Sequence, residues 1–267
     1  MTHRARPHPV AGPRQDPHRS TQPRTSRSQT MTIGHIGILG SGMIGAGVAR
    51  LAADAGLKVT ISNSRGPESL IDLVYELGDR AVADTVTNLI ANCDTIVVAV
   101  PLAAWKALPG KAFAGKTLLD ATNYYPDRFG KIDELDASGL TSSEFLQQAW
   151  PAAALVKTLN TVDYVRLPRL AVKTAGSVRT ALPVAGDSAD ARNRATAFLD
   201  AIGFDTVDLG ELRHGWRFEP GTPTHVAPYS REKEPFSDDP YTRFLEAETV
   251  PVPTEDALRL LNAATRE

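Results

Sequence analysis

IGHIGILGSGMIGAGVARLAADAGLKVTIS occupies residues 33–62 and decides the fold. Residues 33–39 are apolar and partly β-branched, which favours a short buried strand. Residues 43–55 have a helical composition and precede Gly56, and glycine often ends a helix. Residues 57–62 again have the composition of a strand. Strand, helix and strand within so short a stretch predict a compact βαβ unit.

A glycine-rich turn connects the first predicted strand to the helix, and it has the pattern Gly-x-Gly-x-x-Gly. In this setting the first glycine allows a tight turn, the second lets a pyrophosphate approach the backbone, and the third lets the helix pack on the strand. The helix N-terminus adds free N–H groups and the positive end of a dipole. The sequence therefore predicts a site for a dinucleotide pyrophosphate at Gly40, Ser41, Gly42, Met43, Ile44 and Gly45.

The end of the second predicted strand selects between NAD(H) and NADP(H). An NAD site usually has Asp or Glu there to bind the ribose 2′-hydroxyl, but here the first carboxylate is Glu68. Small polar side chains and an arginine suit a 2′-phosphate, since guanidinium offers a permanent charge and a planar fork. We therefore expect Ser62, Asn63, Ser64 and Arg65 to bind NADP(H). The alternative is that Arg65 is a solvated loop residue.

Strands and helices continue to alternate as far as residue 210. Further strands are predicted at residues 81–83, 95–100, 116–120, 154–160, 183–185 and 204–209. Further helices are predicted at residues 69–77, 86–91, 142–149 and 189–202. This alternation predicts an α/β fold with a doubly wound parallel sheet, a Rossmann-type NAD(P)-binding domain over residues 33–212.

The carboxyl ends of the later strands add candidates for the cleft, because ligands bind at that edge of an open parallel sheet. Val100, Pro101 and Leu102 end or follow the strand TIVVAV and are expected beside the nicotinamide half. Asn123 follows the next strand and precedes two tyrosines. This loop either lines the cleft or is an ordinary turn, since Asn and Pro are common turn formers.

Residues 1–32 are rich in arginine and proline and poor in apolar residues, which predicts a disordered basic tail. The arginine content is that of an organellar targeting segment, but the prolines oppose the amphipathic helix such a segment needs. The tail has no aromatic residue for stacking on bases, so no nucleic-acid partner is expected. The remaining interpretation is a tail without function, or translation that begins at Met31.

Residues 213–267 break the rhythm of strands and helices and are rich in proline. They predict a C-terminal extension that packs on the domain or on a partner subunit, because the segment is too short for a core of its own. A last helix is predicted from Thr254, as its N-cap, to about residue 265. Apolar anchors of the extension are expected at Trp216, Phe218, Tyr229, Phe236 and Tyr241.

Composition excludes several classes of protein. The chain has 267 residues, 42% of them hydrophobic, and a formal net charge of −2, which allows a sizeable core. No apolar run is long enough to cross a bilayer, so no membrane partner is expected. The single cysteine, Cys93, excludes an intrachain disulfide and fits a cytoplasmic setting. With no histidine near it in sequence, Cys93 is expected to be a buried filler, and no motif predicts a metal site.

The chain resembles the coenzyme F420-dependent NADP oxidoreductases in six segments. They are GSGMIG at 40–45, SNSRGPESL at 62–70, VAVPL at 98–102, DATNYYP at 120–126, VKTLNTV at 156–162 and GFDTVDLGEL at 203–212. The N-terminal half also resembles the NADP-binding part of pyrroline-5-carboxylate reductases. The resemblance implies a homodimer and hydride transfer between NADP(H) and the deazaflavin F420, bound face to face in one cleft. It also implies that residues 62–65 surround the 2′-phosphate and that residues 41–44 cradle the pyrophosphate.

Hydride transfer between two rings needs proximity, alignment and exclusion of water more than it needs reactive side chains. The candidate catalytic residues are Asn123, Lys157 and Asn160. The related β-hydroxyacid dehydrogenases use a lysine and an asparagine, with the lysine as proton donor. On one strand, however, Lys157 and Asn160 would point to opposite faces.

Three functions stay open at this point. The first is an NADPH-dependent oxidoreductase that acts on F420, a flavin or a similar ring. The second is a reductase of an imine or carbonyl substrate, although that class has a long helical C-terminal domain and only a proline-rich extension is present here. The third is a non-enzymatic NADP(H) sensor or binding module.

Overall fold

The computed structural model describes Met1 and residues 33–174, 176–232, 234 and 237–266. The predicted basic tail over residues 1–32 therefore lies outside the described residues, apart from Met1. Phe236, one of the expected anchors of the extension, also lies outside them.

Six strands form the central sheet. They are β1 (His35–Leu39), β2 (Lys58–Ser62), β3 (Ala81–Ala83), β4 (Thr95–Val98), β5 (Thr117–Asp120) and β6 (Ala154–Lys157). All five neighbouring pairs are parallel, in the order β3-β2-β1-β4-β5-β6. This is the strand order of a Rossmann-type sheet, and it confirms the predicted fold class.

Ten α-helices lie within the described residues. They are α1 (Met43–Asp54), α2 (Ile71–Leu77), α3 (Val86–Asn92), α4 (Pro126–Phe129), α5 (Asp133–Asp136), α6 (Ser142–Ala149), α7 (Leu167–Leu170), α8 (Ala189–Ala201), α9 (Pro240–Glu246) and α10 (Thr254–Ala263). Helix α6 has the bounds that the sequence predicts, and it begins with a capping box in which Thr141 and Glu144 bond to each other's backbone N–H.

The hydrophobic core lies on both faces of the sheet because successive side chains of a strand point to opposite faces. In β4, for example, Val97 belongs to the cluster on the side of α1 and α8, whereas Ile96 and Val98 belong to the cluster on the side of α3 and α6. Phe198 of α8 and Leu146 of α6 are buried in these two clusters. Coverage of both faces by helices is what a parallel sheet requires.

The sheet register brings the ends of four strands to one edge. Leu39 is paired with Val98, Val98 with Asp120, and Asp120 with Lys157. The residues that follow these four therefore leave the sheet side by side. The loops after these strands therefore bring most of the candidate site residues together at this edge.

Two strands end earlier than the sequence predicts. Strand β4 ends at Val98 and not at Val100, because Gly40 turns away with a φ of +110° and leaves no further partner on β1. Strand β6 ends at Lys157 and not at Asn160, because Leu159 has a φ of +62° and breaks the extended chain. Asn160 therefore stands in a loop, and the argument that Lys157 and Asn160 alternate along one strand does not apply.

Strands β7 (Ala181–Val184) and β8 (Asp205–Asp208) form a separate two-stranded parallel sheet. The alternating pattern predicts that these two strands extend the central parallel sheet, and that prediction is wrong. The chain after β7 instead meets β6 through an antiparallel bridge between Lys157 and Ala185.

The C-terminal extension contacts the same core. Phe218 and Tyr229 are fully buried, and Val252, Ala257 and Leu261 belong to the cluster that also holds α1 and α8. The extension adds the short antiparallel strands β9 (Ser230–Arg231) and β10 (Glu248–Thr249), with α9 between them.

Two details of the extension differ from expectation. The N-cap of α10 is Pro253 and not Thr254, and it provides no side-chain bond. Tyr241 is 61% exposed, so it is not a buried anchor.

His35 approaches Cys93, with 3.5 Å between its Nε2 and the cysteine Sγ, although the two are far apart in sequence. Burial raises the pKa of Cys93, so the thiol stays protonated and packs as a filler.

Candidate active site

Two adjoining cavities open at the carboxyl edge of the sheet. The first, here called the turn cavity, has a volume of about 630 Å³ and is lined by the glycine turn and the loop after β2. The second, here called the aromatic cavity, has a volume of about 540 Å³ and is lined by the loops after β5 and β6 and by the extension. The residues that line both are Gly42, Ala99, Val100 and Pro101.

The glycine turn has the geometry that its pattern predicts. At Gly40 a Cβ would lie 2.3 Å from the carbonyl oxygen of Ala99, and at Gly45 it would lie 2.0 Å from the carbonyl oxygen of Gly40. Neither position has room for a side chain. A Cβ at Gly42 would instead meet nothing within 4 Å, because this residue faces the open cavity at the N-terminus of α1. A phosphate can therefore approach the backbone at Gly42.

Asn63 organises the loop after β2. Its Nδ2 donates to Ser41 Oγ and to Ser69 Oγ, both at 2.9 Å, while its Oδ1 accepts the N–H of Arg65. The amide of Asn63 is thus engaged in holding the loop against the glycine turn. Ser64 and Arg65 are exposed and line the turn cavity.

The positively charged guanidinium of Arg65 suits the binding of an anion. In the described part of the chain it takes part in no salt bridge, so no carboxylate neutralises its guanidinium. Ser62, in contrast, is fully buried and its carbonyl accepts the N–H of Gly40. Ser62 therefore shapes the turn and does not line either cavity.

The aromatic cavity is walled by rings that come from three parts of the chain. Its aromatic side chains are Tyr125, Phe129, Tyr164, Tyr241 and Phe244. The charged side chains in its wall are Arg128 and Asp163. The Arg128 guanidinium lies 5.0 Å from the centre of the Phe129 ring, and Tyr241 stacks on Phe244. Such a wall suits a flat aromatic ligand that carries negative charge.

Two asparagines fix each other at the base of the aromatic cavity. Asn123 Nδ2 donates to the carbonyl oxygen of Asn160 at 2.9 Å, and Asn160 Nδ2 donates to Asn123 Oδ1 at 3.1 Å. A second bond from Asn160 Nδ2 reaches the carbonyl oxygen of Phe218 at 2.9 Å. Both asparagines line the cavity, and the orientation of each amide is set by the other.

His225 and Tyr125 meet across the aromatic cavity. The hydroxyl of Tyr125 lies 3.0 Å from His225 Nε2. Burial and, to a lesser extent, the charge of Lys157 lower the pKa of His225 to about 4, so its imidazole is neutral at physiological pH. Burial also raises the pKa of Tyr125. The pair is therefore a neutral phenol bonded to a neutral imidazole.

Lys157 lies beneath the cavity and does not line it. Its side chain is completely buried, and Nζ donates to the carbonyl oxygen of Thr122 at 2.5 Å and to Ser142 Oγ at 3.2 Å. Asp120 Oδ2 lies 3.4 Å away and completes a buried ion pair. The lysine thus supports the loop after β5, and in this conformation it cannot reach a ligand in the cavity.

The predicted site residues divide into three groups. Those that line a cavity are Gly40, Ser41, Gly42, Met43, Ile44, Asn63, Ser64, Arg65, Val100, Pro101, Asn123 and Asn160. Gly45 and Ser62 line neither cavity, but both lie against Gly40 and shape the turn. Leu102 and Lys157 are buried, and Leu102 packs in the core on the side of α3 and α6.

His225 is the main residue that sequence reasoning missed. It lies 100 positions from Tyr125, in the proline-rich extension, where no periodic pattern points to the sheet edge. Arg128, Asp163, Tyr164 and Phe244 were also missed. The one available signal was the pair of tyrosines after Asn123, of which Tyr125 lines the cavity.

In the described residues, none of the helices combines the length and the apolar character that crossing a membrane requires. The same part of the chain contains no group of three His, Cys, Asp or Glu side chains that could hold a metal ion.

The sheet, the glycine turn and the cavity beside it define a Rossmann-type dinucleotide-binding protein. Comparison with known proteins shows which family of this class the chain resembles. The model of the family described as NADP oxidoreductase, coenzyme F420-dependent, matches residues 35–124. The resemblance that the sequence predicts is confirmed over this segment, and the predicted class of NADP-dependent oxidoreductase agrees with it.

Two solved structures resemble the chain over most of its length. A hypothetical protein of Sinorhizobium meliloti is 28% identical, and the match covers 74% of this chain and 95% of that one with a TM-score of 0.65. A proposed F420-dependent NADP reductase of Arthrobacter sp. FB24 is 26% identical, and the match covers 66% of this chain and 84% of that one with a TM-score of 0.54. No curated protein matches the chain.

Proposed function

We propose that the chain is an NADP(H)-dependent oxidoreductase that transfers a hydride between NADP(H) and a ring cofactor such as F420 or a flavin. The observation that carries this proposal is the continuity of the turn cavity and the aromatic cavity. They share Gly42, Val100 and Pro101, so a dinucleotide that extends through the first would place its nicotinamide end at the second.

The residues of the turn cavity fit NADP(H). The bare backbone at Gly42 and the N-terminus of α1 suit the pyrophosphate. Arg65 and Ser64, exposed on the loop that Asn63 holds, suit a 2′-phosphate. When bound, the dinucleotide supplies or accepts the hydride, and these residues bind and orient it.

The residues of the aromatic cavity fit a planar acceptor. Its tyrosine and phenylalanine rings offer stacking surfaces, and Arg128 offers a partner for an anionic tail. A ligand seated against these rings would be shielded from water on that side, which protects a hydride transfer. F420 is the acceptor that the family match favours, and a flavin is the other acceptor of this shape.

The other two functions remain as alternatives to this proposal. An imine or carbonyl reductase would accept small substrates with the same NADPH. A sensor would bind NADP(H) in the turn cavity and turn over nothing. The size and the aromatic wall of the second cavity favour an enzyme that acts on a flat ring.

The test follows the absorbance of NADPH and of oxidised F420 while the two are mixed with the protein. Loss of both bands with NADPH, but not with NADH, is the expected result, and FMN in place of F420 tests the flavin. Cyclic imines and ketones form a parallel series. Tight NADPH binding without oxidation by any acceptor would refute the enzymatic function and leave the sensor.

The resemblance also leads us to propose a homodimer, and the single cysteine leads us to propose a cytoplasmic setting. Light scattering of the purified chain tests the first. A molar mass equal to one chain, at concentrations used for turnover, would contradict it.

A further inference from the structure

We propose that Tyr125 and His225 form a proton relay that exchanges with the acceptor the proton that accompanies the hydride. This inference deepens the proposed function and rests on it. It names a substrate class: an acceptor whose reduced form carries an exchangeable proton on nitrogen or oxygen, and not one that takes a hydride alone.

The relay stands at the surface of the aromatic cavity. Tyr125 comes from the loop between β5 and α4, and His225 comes from the extension. Both side chains line the cavity, and 3.0 Å separates the phenolic oxygen from Nε2. A ligand that fills the cavity would therefore lie within reach of the hydroxyl.

The direction of the hydrogen bond follows from Asn123. Its Oδ1 accepts from Asn160 and its Nδ2 donates to the carbonyl oxygen of Asn160, so the amide cannot be reversed without losing both bonds. The same Nδ2 faces His225 Nε2 at 3.5 Å. An N–H on Nε2 would face this N–H donor, so the geometry favours Nε2 as the acceptor and the proton on Nδ1. Tyr125 thus donates to His225.

The backbone holds His225 in this position. The next residue, Val226, has a φ of +58°, a conformation that is rare for a β-branched residue. Its N–H donates to the carbonyl oxygen of Thr161 at 2.8 Å. Such strain persists only where the surroundings impose it, and it is concentrated at functional sites. Leu159, which lines the same cavity, has a φ of +62°.

Burial outweighs the nearby charges and keeps the pair neutral. Arg128, on the helix that follows Tyr125, lowers the pKa of the phenol, and Lys157 lowers the pKa of His225. Asp163, Tyr164 and Tyr241 are the other ionisable groups in the wall of the same cavity. Burial and the charge of Lys157 disfavour a resting imidazolium, so Nε2 keeps a free lone pair that accepts the hydrogen bond of the phenol.

Protons and electrons balance for both directions of the hydride transfer. When NADP⁺ is reduced, Tyr125 takes the proton released as the N–H or O–H bond of the reduced acceptor breaks, and its own proton passes to His225 Nε2. The electron pair of the breaking C–H bond leaves with the hydride for NADP⁺. His225 then returns its extra proton to water. When NADPH is oxidised, the same protons move in the opposite order.

The experiment compares Tyr125→Phe and His225→Gln with Tyr124→Phe as the matched control. Tyr124 is adjacent, but its hydroxyl bonds to Asp136 and to the backbone of Ile132, and it does not line the cavity. Single-turnover hydride transfer is measured with NADPH and F420 across pH, in water and in deuterium oxide. We expect both relay variants to slow transfer by about 100-fold, the range of general acid–base catalysis, with little change in NADPH affinity.

A readout that needs no acceptor accompanies the kinetics. Nitrogen NMR of the histidine rings in the unliganded full-length protein, assigned with His225→Gln, is expected to show Nε2 of His225 unprotonated. Its resonance should shift in Tyr125→Phe and stay in place in Tyr124→Phe. A protonated Nε2, or a Tyr125→Phe variant with the wild-type rate and pH profile, would overturn the relay.

The two proposals fail in different ways. If NADPH binds and no acceptor of any class is turned over, the proposed function fails, and the ring spectrum alone then decides whether the hydrogen-bonded pair exists as described. If F420 is reduced equally fast by wild type and by both relay variants, the function stands and the relay fails.

Discussion

Asn63 and Ser41 are joined by a hydrogen bond of 2.9 Å between the amide Nδ2 and the serine Oγ. This bond ties the loop after β2 to the glycine turn, and these are the two parts of the chain that face each other across the turn cavity. Arg65 belongs to the same loop, and its N–H is held by the Oδ1 of Asn63. One asparagine thus determines where the arginine stands relative to the turn.

Arg65→Ala is expected to weaken NADPH binding by about 1–3 kcal/mol, the range of a charge-assisted contact, and to leave NADH binding nearly unchanged. The reason is that only NADPH carries the 2′-phosphate. Calorimetric titration of both dinucleotides measures the difference. Arg213→Ala is the matched control, because Arg213 is exposed, pairs with Glu211 and lines neither cavity. Equal losses for the two dinucleotides would remove the assignment of Arg65.

Asn63→Ala is expected to act differently from Arg65→Ala. It removes the bonds to Ser41, to Ser69 and to the backbone of Arg65, so the loop loses its anchor. Affinity for NADPH and for NADH should both fall, and the free energy of unfolding should drop by about 1 kcal/mol, since the site is partly exposed. Selective loss of NADPH alone would show that Asn63 contacts the 2′-phosphate directly.

Gly42→Ala and Gly45→Ala are expected to separate binding from folding. A Cβ at Gly42 enters the open cavity, so stability should change by less than about 1 kcal/mol, while NADPH binding weakens at least tenfold because the phosphate meets a methyl group. A Cβ at Gly45 would lie 2.0 Å from the carbonyl oxygen of Gly40. That variant should lose roughly 1–3 kcal/mol of stability by overpacking. Urea denaturation and NADPH titration of both variants provide the comparison.

The first βαβ unit could be predicted in detail because its signals are local. The pattern of apolar residues, the three glycines of the turn and Gly56 all act within 33–62, and β1, α1 and β2 form close to their predicted bounds. The bounds of α6 could be predicted for the same reason. Such signals do not depend on where the rest of the chain goes.

The aromatic cavity could be predicted only in part because it depends on distant contacts. Leu102 follows the edge of the sheet in sequence, but its side chain packs into the core, and a strand pattern does not reveal where the chain turns inward. Lys157 is the last residue of β6, yet a buried network uses its charge. His225 reaches the cavity from the extension, and no property of the segment around it indicates that destination.

Lys157→Met is expected to destabilise the fold and not to abolish chemistry selectively. Removal of the ammonium leaves Asp120 buried without its partner, and a broken buried pair costs about 3–5 kcal/mol. The double variant Asp120→Asn with Lys157→Met should be more stable than Lys157→Met alone, since no charge then stays buried. Chemical denaturation of the wild type, of Lys157→Met and of the double variant measures the three free energies of unfolding. A Lys157→Met protein of wild-type stability that had lost only turnover would make the lysine catalytic.

His225 is expected to make folding stability depend on pH. Its pKa is about 4 in the folded protein and 6.5 in the unfolded chain. Between these values the unfolded chain binds a proton that the folded protein does not, so the free energy of unfolding rises with pH across this window. The contribution is complete above pH 6.5 and is lost as the pH falls towards 4. Because the ring is partly exposed, we expect about 2 kcal/mol, less than the full linkage value.

Chemical denaturation of wild type and His225→Gln at a series of pH values isolates this effect. The difference between the two stability curves should be constant above the window and should change within it, because the other ionisable groups are shared by both proteins. His35, whose pKa burial also lowers, is present in both and cancels. A difference that does not change with pH would show that His225 titrates alike in the folded and unfolded states, and the neutral imidazole that Tyr125 meets would then not be a property of the fold.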